Sequence, residues 1–156
     1  VLGQQMQLVI RRDAANPRER LVTQDENRLV ASLLADDDVE HLRRLVQTWL
    51  RENLLATSVK RVSFYSDRLG VPAPALRLSS ARTRWGSCSA TGRISLNWRL
   101  IHMPSRLIDY VVAHEIAHLR EMNHSPRFWA LVEDVYPDCR SARRELNALE
   151  KQLPEL

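Results

Sequence analysis

The amino-acid sequence predicts an α+β fold: a small, mostly antiparallel sheet packed against helices. Three features predict it. Short runs of alternating apolar residues occur near the start and again between residues 76 and 100. The intervening stretch 36–70 repeats its apolar positions at helical spacing instead. The segment 82–100 reads as a hairpin, the unit that sets neighbouring strands antiparallel.

In chain order, Met6, Leu8 and Ile10 alternate with Gln7 and Val9, as in a strand, and 28–33 forms a second strand after a polar turn at 24–27. Asp36, Asp37 and Asp38 supply an N-cap and first-turn acids for a helix. Val39, Leu42, Leu45, Val46, Trp49 and Leu50 then keep three-and-four spacing, so one face is buried. The pattern continues through Val62, Phe64 and Tyr65 to Leu69, as one long helix or two, and Gly70 is a natural residue past its end. Pro72 and Pro74 mark a loop, and 76–78 a strand. In the hairpin, 82–85 leads in and 93–100 leads out. Ile94, Leu96, Trp98 and Leu100 share one face of the second arm, while Ser95, Asn97 and Arg99 share the other. A helix is expected over 104–121. Another starts at Ser125-Pro126, as N-cap and first residue, and buries Phe128, Trp129, Leu131, Val132 and Val135. A last helix runs from Asp138 through Leu149. The whole chain, 1–156, is expected to be one domain: strands in 1–35, helix in 36–70, sheet in 75–100, the site-bearing helix and third ligand in 104–124, and C-terminal helices in 125–156.

Composition bounds the function. With 156 residues, 44% hydrophobic and 27% charged, the chain can bury a core without staples. No apolar run approaches the ~18–20 residues of a membrane span, and no basic start followed by an apolar segment suggests a secretory signal. Cys88 and Cys139 are the two cysteines, too few and too far apart for a disulfide framework, so a cytoplasmic setting is expected. The net charge of +4 is unevenly spread: 60–104 carries Lys60, Arg61, Arg68, Arg77, Arg82, Arg84, Arg93 and Arg99 against Asp67 alone. Such a cluster would attract phosphates or an acidic partner, and solvated arginines on strands would explain it as well.

The chemistry is carried by His114-Glu115-Ile116-Ala117-His118, an H-E-x-x-H pattern. Two histidines four apart share one helix face, so both imidazoles can reach one ion. Val111, Val112, Ile116 and Ala117 make that helix apolar nearly all round. Two histidines and a glutamate left unpaired in such a helix would cost several kcal/mol, and a metal supplies the missing partner. A catalytic zinc needs three protein ligands and one open position. His124 is the third, six residues after His118. On a straight helix it would lie about 15 Å from His114, at ~1.5 Å per residue. The helix must therefore stop and double back, and Met122-Asn123 is the expected stop because asparagine tolerates the left-handed conformation. A histidine capping the next helix is the competing role for His124. One Zn2+ per chain is expected, with Glu115 as general base taking a proton from the attacking water.

Other residues carry weaker signals. Arg84, Trp85, Asn97, Trp98 and Arg99 are candidate cleft or substrate-binding residues, and the arm 93–100 is the candidate edge for an extended peptide. Cys88 fits a buried structural thiol better than a ligand, because no partner stands at metal spacing. Tyr110 and Tyr136 fit core or rim positions better than an oxyanion role, and His41 and His102 need no function.

Residues 84–88 (Arg-Trp-Gly-Ser-Cys), 97–100 (Asn-Trp-Arg-Leu), 110–115 (Tyr-Val-Val-Ala-His-Glu), His124-Ser125 and Phe128-Trp129 together resemble the YgjP-like metallopeptidase family, over about residues 40–150. The resemblance implies a zincin-like fold, related to SprT and WLM-type proteases, with His114, His118 and His124 as zinc ligands and Glu115 as catalytic acid/base. WLM-type proteases share the histidine spacing. The metzincin signature also shares it but has glycine where this chain has Glu121, which argues against that group. Relatives that digest DNA-crosslinked proteins would suit the basic 60–104 segment, although the chain shows no DNA-binding appendage such as a zinc ribbon.

Three functions compete. The leading one is a zinc metallopeptidase acting on a peptide or protein, with no membrane partner. A zinc-dependent nucleotide or phosphoanhydride hydrolase would use Arg84, Arg93 and Arg99 to hold phosphates. A nucleic-acid-binding module with structural zinc would need a fourth protein ligand, and the sequence offers none.

Overall fold

A computed structural model describes residues 1–150. β1 (Gln7–Arg11) runs parallel to β3 (Arg28–Ser32), and β2 (Leu21–Asp25) pairs antiparallel on the other side of β3. A second sheet has the order β4-β6-β5: β4 (Leu76–Ser79) is parallel to β6 (Ile94–Asn97), and β5 (Gly86–Cys88) is antiparallel to it. The α+β class stands, but the expected single, mostly antiparallel sheet is two sheets, each half parallel. All four residues of β6 are buried, and a strand covered on both faces takes the centre of its sheet. With β6 inserted between β4 and β5, only one of its neighbours can be a hairpin partner. The sequence pattern also hid β2. Thr23, Gln24 and Asp25 are exposed there and give no apolar alternation.

The long apolar stretch is one helix, α1 (Val39–Leu69, 31 residues). Asp38 accepts the His41 N–H at 2.8 Å as N-cap, worth about 1 kcal/mol. Gly70, at φ 64°, ends the helix in the left-handed region that lets glycine serve there. The 93–100 arm is shorter than expected. Asn97 accepts the Arg99 N–H at 3.1 Å and turns the chain into a 3-10 helix, Trp98–His102. Its amide also donates to the carbonyls of Ala81 (2.7 Å) and Arg84 (3.1 Å). Those bonds bend 81–84, so the first hairpin arm starts pairing at Gly86 rather than at Arg82.

α2 (Ser105–Ala117) buries nine of its thirteen residues, from Leu107 to Ala117. It packs against α1, β5, α3 (Pro126–Val135) and α4 (Cys139–Glu150). Ser125 caps α3 by accepting the Phe128 N–H at 3.2 Å, with Pro126 at the first position. The expected extension of the C-terminal helices to residue 156 falls at 151–156, outside the described residues. No described helix is long and apolar enough to cross a membrane.

Candidate metal centre

α2 delivers His114 from its last turn, and His118 is its C-cap residue. The helix ends four residues before the expected stop. Bonds tighten to three-residue spacing at Leu119 N–H to Ile116 O and Arg120 N–H to Ala117 O, both 3.0 Å. The reversal needs no left-handed residue, for Asn123 has negative φ. The expected asparagine device is thus replaced by a tightened turn and a side chain. His118 Nδ1 lies 3.1 Å from the Glu121 carbonyl oxygen. A carbonyl can only accept, so Nδ1 carries the proton and Nε2 keeps a free lone pair. The chain then returns His124 so that its Nε2 lies 3.0 Å from His114 Nε2.

Each of the three imidazoles offers a nitrogen within 4.8 Å of the others. Nitrogens around one tetrahedral zinc, at ~2.0–2.1 Å from the ion, stand roughly 3.3 Å apart, so the donor set fits a single ion after small rotations. Burial holds His114 far below the usual range, at about 3, with His118, His124 and Arg143 adding repulsion. Burial also lowers His118. Both rings therefore stay neutral, the form that binds metals. His114 Nδ1 is buried and has no hydrogen-bond partner among the described residues.

Phe128 from α3 supports the cluster. It is fully buried, stacks on His118 (4.4 Å, 26°), and meets His114 and His124 edge-on at 4.8 Å each. Trp129 stacks on His124 at 5.9 Å.

Glu115 is 6% exposed, and no ion pair reaches it among the described residues. Burial pushes its pKa up to about 7, with Arg84 opposing. The surface facing it is Gly86 of β5: a Cβ there would stand 2.5 Å from Glu115 Oε1 and 2.7 Å from its Cγ. A cleft of about 250 Å³ runs between β5 and the histidines, walled by Gly86, Ser87, Cys88 and Met122.

The remaining sequence candidates divide. Arg84 and Trp85 lie beside Glu115 and Gly86. Asn97 and Trp98 are buried, each 4% exposed, and Arg99 lies over the Trp98 ring at 5.6 Å; none of these three lines the cleft. Nor does the 93–100 arm form the cleft edge, because β6 is central and β5 is the outer strand. Cys88, expected as a buried thiol, is a half-buried part of the cleft wall, outside the histidine cluster. Tyr110 is a buried neighbour of His114, 6.0 Å ring to ring, while Tyr136 donates to the Arg106 carbonyl. Three cations of the basic segment are engaged within the fold. Arg61 pairs with Asp109, Arg77 donates to Ser95, and Arg68 lies on Phe64. Gly86, Phe128 and Arg143 escaped sequence reasoning as site residues. For Gly86 a signal existed, since glycine inside a strand marks a close approach.

A family model described as YgjP-like, metallopeptidase domain, matches residues 1–149. The chain belongs to this family. The YgjP-like metallopeptidase also shares its architecture with two solved structures. The metallopeptidase zymogen of Pyrococcus abyssi abylysin is 26% identical, with a TM-score of 0.52, covering 62% of this chain and 97% of its own. The metallopeptidase zymogen of Methanocaldococcus jannaschii jannalysin is 18% identical, with a TM-score of 0.50, covering 60% and 95%, a likeness of fold alone. No curated protein matches the sequence. Family and fold together make the chain a metallopeptidase, an α+β enzyme whose substrate is a peptide or protein.

Proposed function

We propose that the enzyme cleaves peptide bonds with one zinc ion held by His114, His118 and His124, and with Glu115 as general base. The observation that carries this reading is the convergence of three imidazoles beside a buried carboxylate that has no ion pair among the described residues. A bound zinc would supply Lewis acidity, polarising the scissile carbonyl and making a nearby water more acidic. Glu115 takes the proton of the attacking water at its carboxylate and passes it to the leaving amine. Burial keeps that carboxylate basic enough to do so.

The free edge of β5 suits an extended substrate. Ser89 N–H bonds the Arg93 carbonyl and Asn97 N–H bonds the Trp85 carbonyl. Alternation in an antiparallel pair then turns residues 85, 87 and 89 toward β6 and leaves the backbone groups of Gly86 and Cys88 facing outward. A substrate strand added there lies along the histidine cluster.

The family match over 1–149 supports reading 1–156 as one catalytic domain, and the two free thiols suit a reducing cytoplasm. Neither of the cavities that share His114 and Glu115 is lined by Arg84, Arg93 or Arg99.

Zinc content and hydrolysis of an unfolded protein substrate, measured on wild type, His124→Ala and Glu115→Gln, test the assignment. Wild type should hold about one zinc and cleave. His124→Ala should lose zinc, and Glu115→Gln should keep zinc but not cleave. Equal zinc in wild type and His124→Ala would remove His124 from the ligand set, and a cleaving Glu115→Gln would remove the general base.

A further inference from the structure

Beside the cleft lies a second cavity of about 170 Å³. It shares Gly86, His114 and Glu115 with the cleft and extends to α4, where Arg143 and Asn147 form its exposed rim. Its size resembles the ~150 Å³ cavity that admits a six-carbon ring, ample for an acidic side chain.

The chemistry of its wall is one-sided. Arg143 lies 5.2 Å from the Trp129 ring, which supports the guanidinium on one face. Among the described residues it has no carboxylate partner. Arg140, one turn earlier on α4, is taken by Glu133 at 2.9 Å, and Arg106 is taken by Glu145. The other polar side chains in the lining are Trp85, Tyr110, His114 and Asn147; the Tyr110 hydroxyl, the Asn147 amide and the Trp85 indole N–H can donate, and that indole N–H is buried with no partner among the described residues. Glu115 is the only acid in the lining, and it belongs to the proposed catalytic machinery. Arg143 is exposed at the rim of the cavity beside the proposed reacting centre, where its guanidinium is open to a ligand. A carboxylate entering the cavity can take two parallel N–H···O bonds from it.

We propose that this cavity binds a carboxylate of the peptide substrate next to the scissile bond, with Arg143 as the residue that selects it. The inference rests on the peptidase reading of the His114–Glu115 centre. Two sources share the chemistry: an Asp or Glu side chain flanking the bond, or the C-terminal carboxylate of a short peptide.

Matched fluorogenic peptides test the proposal, with Glu against Gln at each position flanking the cleaved bond, and each with a free or an amidated C-terminus. For wild type, kcat/KM should favour the carboxylate peptide about 10-fold to 100-fold, the range of a charge-assisted hydrogen bond. The preference should vanish in Arg143→Ala and be partly kept in Arg143→Lys. Dependence on Glu regardless of amidation identifies the side chain, and loss on amidation identifies the terminus. Calorimetric binding of the same peptides to zinc-loaded Glu115→Gln, alone and combined with Arg143→Ala, reads the pocket without turnover. Equal cleavage of Glu and Gln peptides and of free and amidated termini overturns the proposal, as does a preference that survives Arg143→Ala. Absent cleavage with Arg143-dependent carboxylate binding would instead overturn the peptidase reading and leave the pocket standing. Absent binding as well would overturn both.

Discussion

Replacing Gly86 by alanine isolates the position of Glu115 from its chemistry. The added Cβ would stand 2.5 Å from Glu115 Oε1, 2.7 Å from Cγ and 2.8 Å from Cδ. Ordinary contacts between such atoms are about 3.5 Å, so the carboxylate must retreat by about 1 Å. All three contacts belong to one side chain anchored on the buried helix α2, so the shift falls on the proposed general base itself. The backbone raises no objection, because Gly86 does not have positive φ. A misplacement of ~1 Å costs about 100-fold in rate, or about 2.7 kcal/mol of transition-state stabilisation. The assay is kcat/KM on a cleaved peptide, with zinc content and melting temperature measured on the same preparations. Gly86→Ala should keep zinc and fold while losing about two orders of magnitude in kcat/KM. An alanine variant with wild-type kcat/KM would refute the idea that β5 sets the Glu115 position.

Two further expectations concern stability. Burial raises the Asp37 carboxyl, but the Arg20 hydrogen bond (2.7 Å) and the Leu34 N–H (2.8 Å) outweigh it, and the net pKa is lowered. The stabilisation is therefore full above the unfolded value of about 3.9 and lost as pH falls through the lower folded value. Asp37→Asn should melt below wild type at pH 7, and the two curves should converge as pH drops below about 4; a constant gap would refute the linkage. With zinc held by the three histidines as proposed, a chelator should also lower the melting temperature, by on the order of 10 °C if zinc had been held at about 1,000 times its dissociation constant, which is worth about 4 kcal/mol. An unchanged melting temperature would mean that the histidines hold no ion in the folded state.

Local signals in the sequence were sufficient for the ends of α1 and for the spacing of the histidines. Asp38 and Gly70 bound α1 because capping acts within one turn. The H-E-x-x-H pattern exposes the two histidines proposed as ligands because four residues span about one helical turn. His124 was legible too, since its spacing demanded a reversal, though the device was not. The tightened turn after Ala117 has no residue signature of its own, and the supporting bond comes from His118 itself. Strand order was hidden for a different reason. Whether β6 sits at an edge or at the centre depends on what covers Ser95 and Asn97, and those partners, Arg77 and the 81–84 bend, lie up to 18 residues away. Alternation along 93–100 looked like a half-exposed strand, while tertiary contacts bury both faces.

The same distinction separates the reacting groups from the groups that place them. His114, Glu115, His118 and His124 lie within eleven consecutive residues, and chemistry alone makes that cluster conspicuous. Their supports come from three distant elements. Gly86 on β5 limits where Glu115 can stand, Phe128 on α3 touches all three imidazole rings, and Arg143 on α4 lines the rim of the adjoining cavity. None of these supports is chemically unusual by residue type. Gly86 matters for what it lacks, Phe128 for a flat face against His118, and Arg143 for the absence of a carboxylate partner among the described residues. Each is a relation between elements, and such relations become visible only when the chain is folded. It follows that substitutions in the motif should remove metal or proton transfer outright. Substitutions in the supports should change rate, affinity or selectivity by graded amounts while leaving the histidine cluster intact, which is the pattern expected of Gly86→Ala and Arg143→Ala.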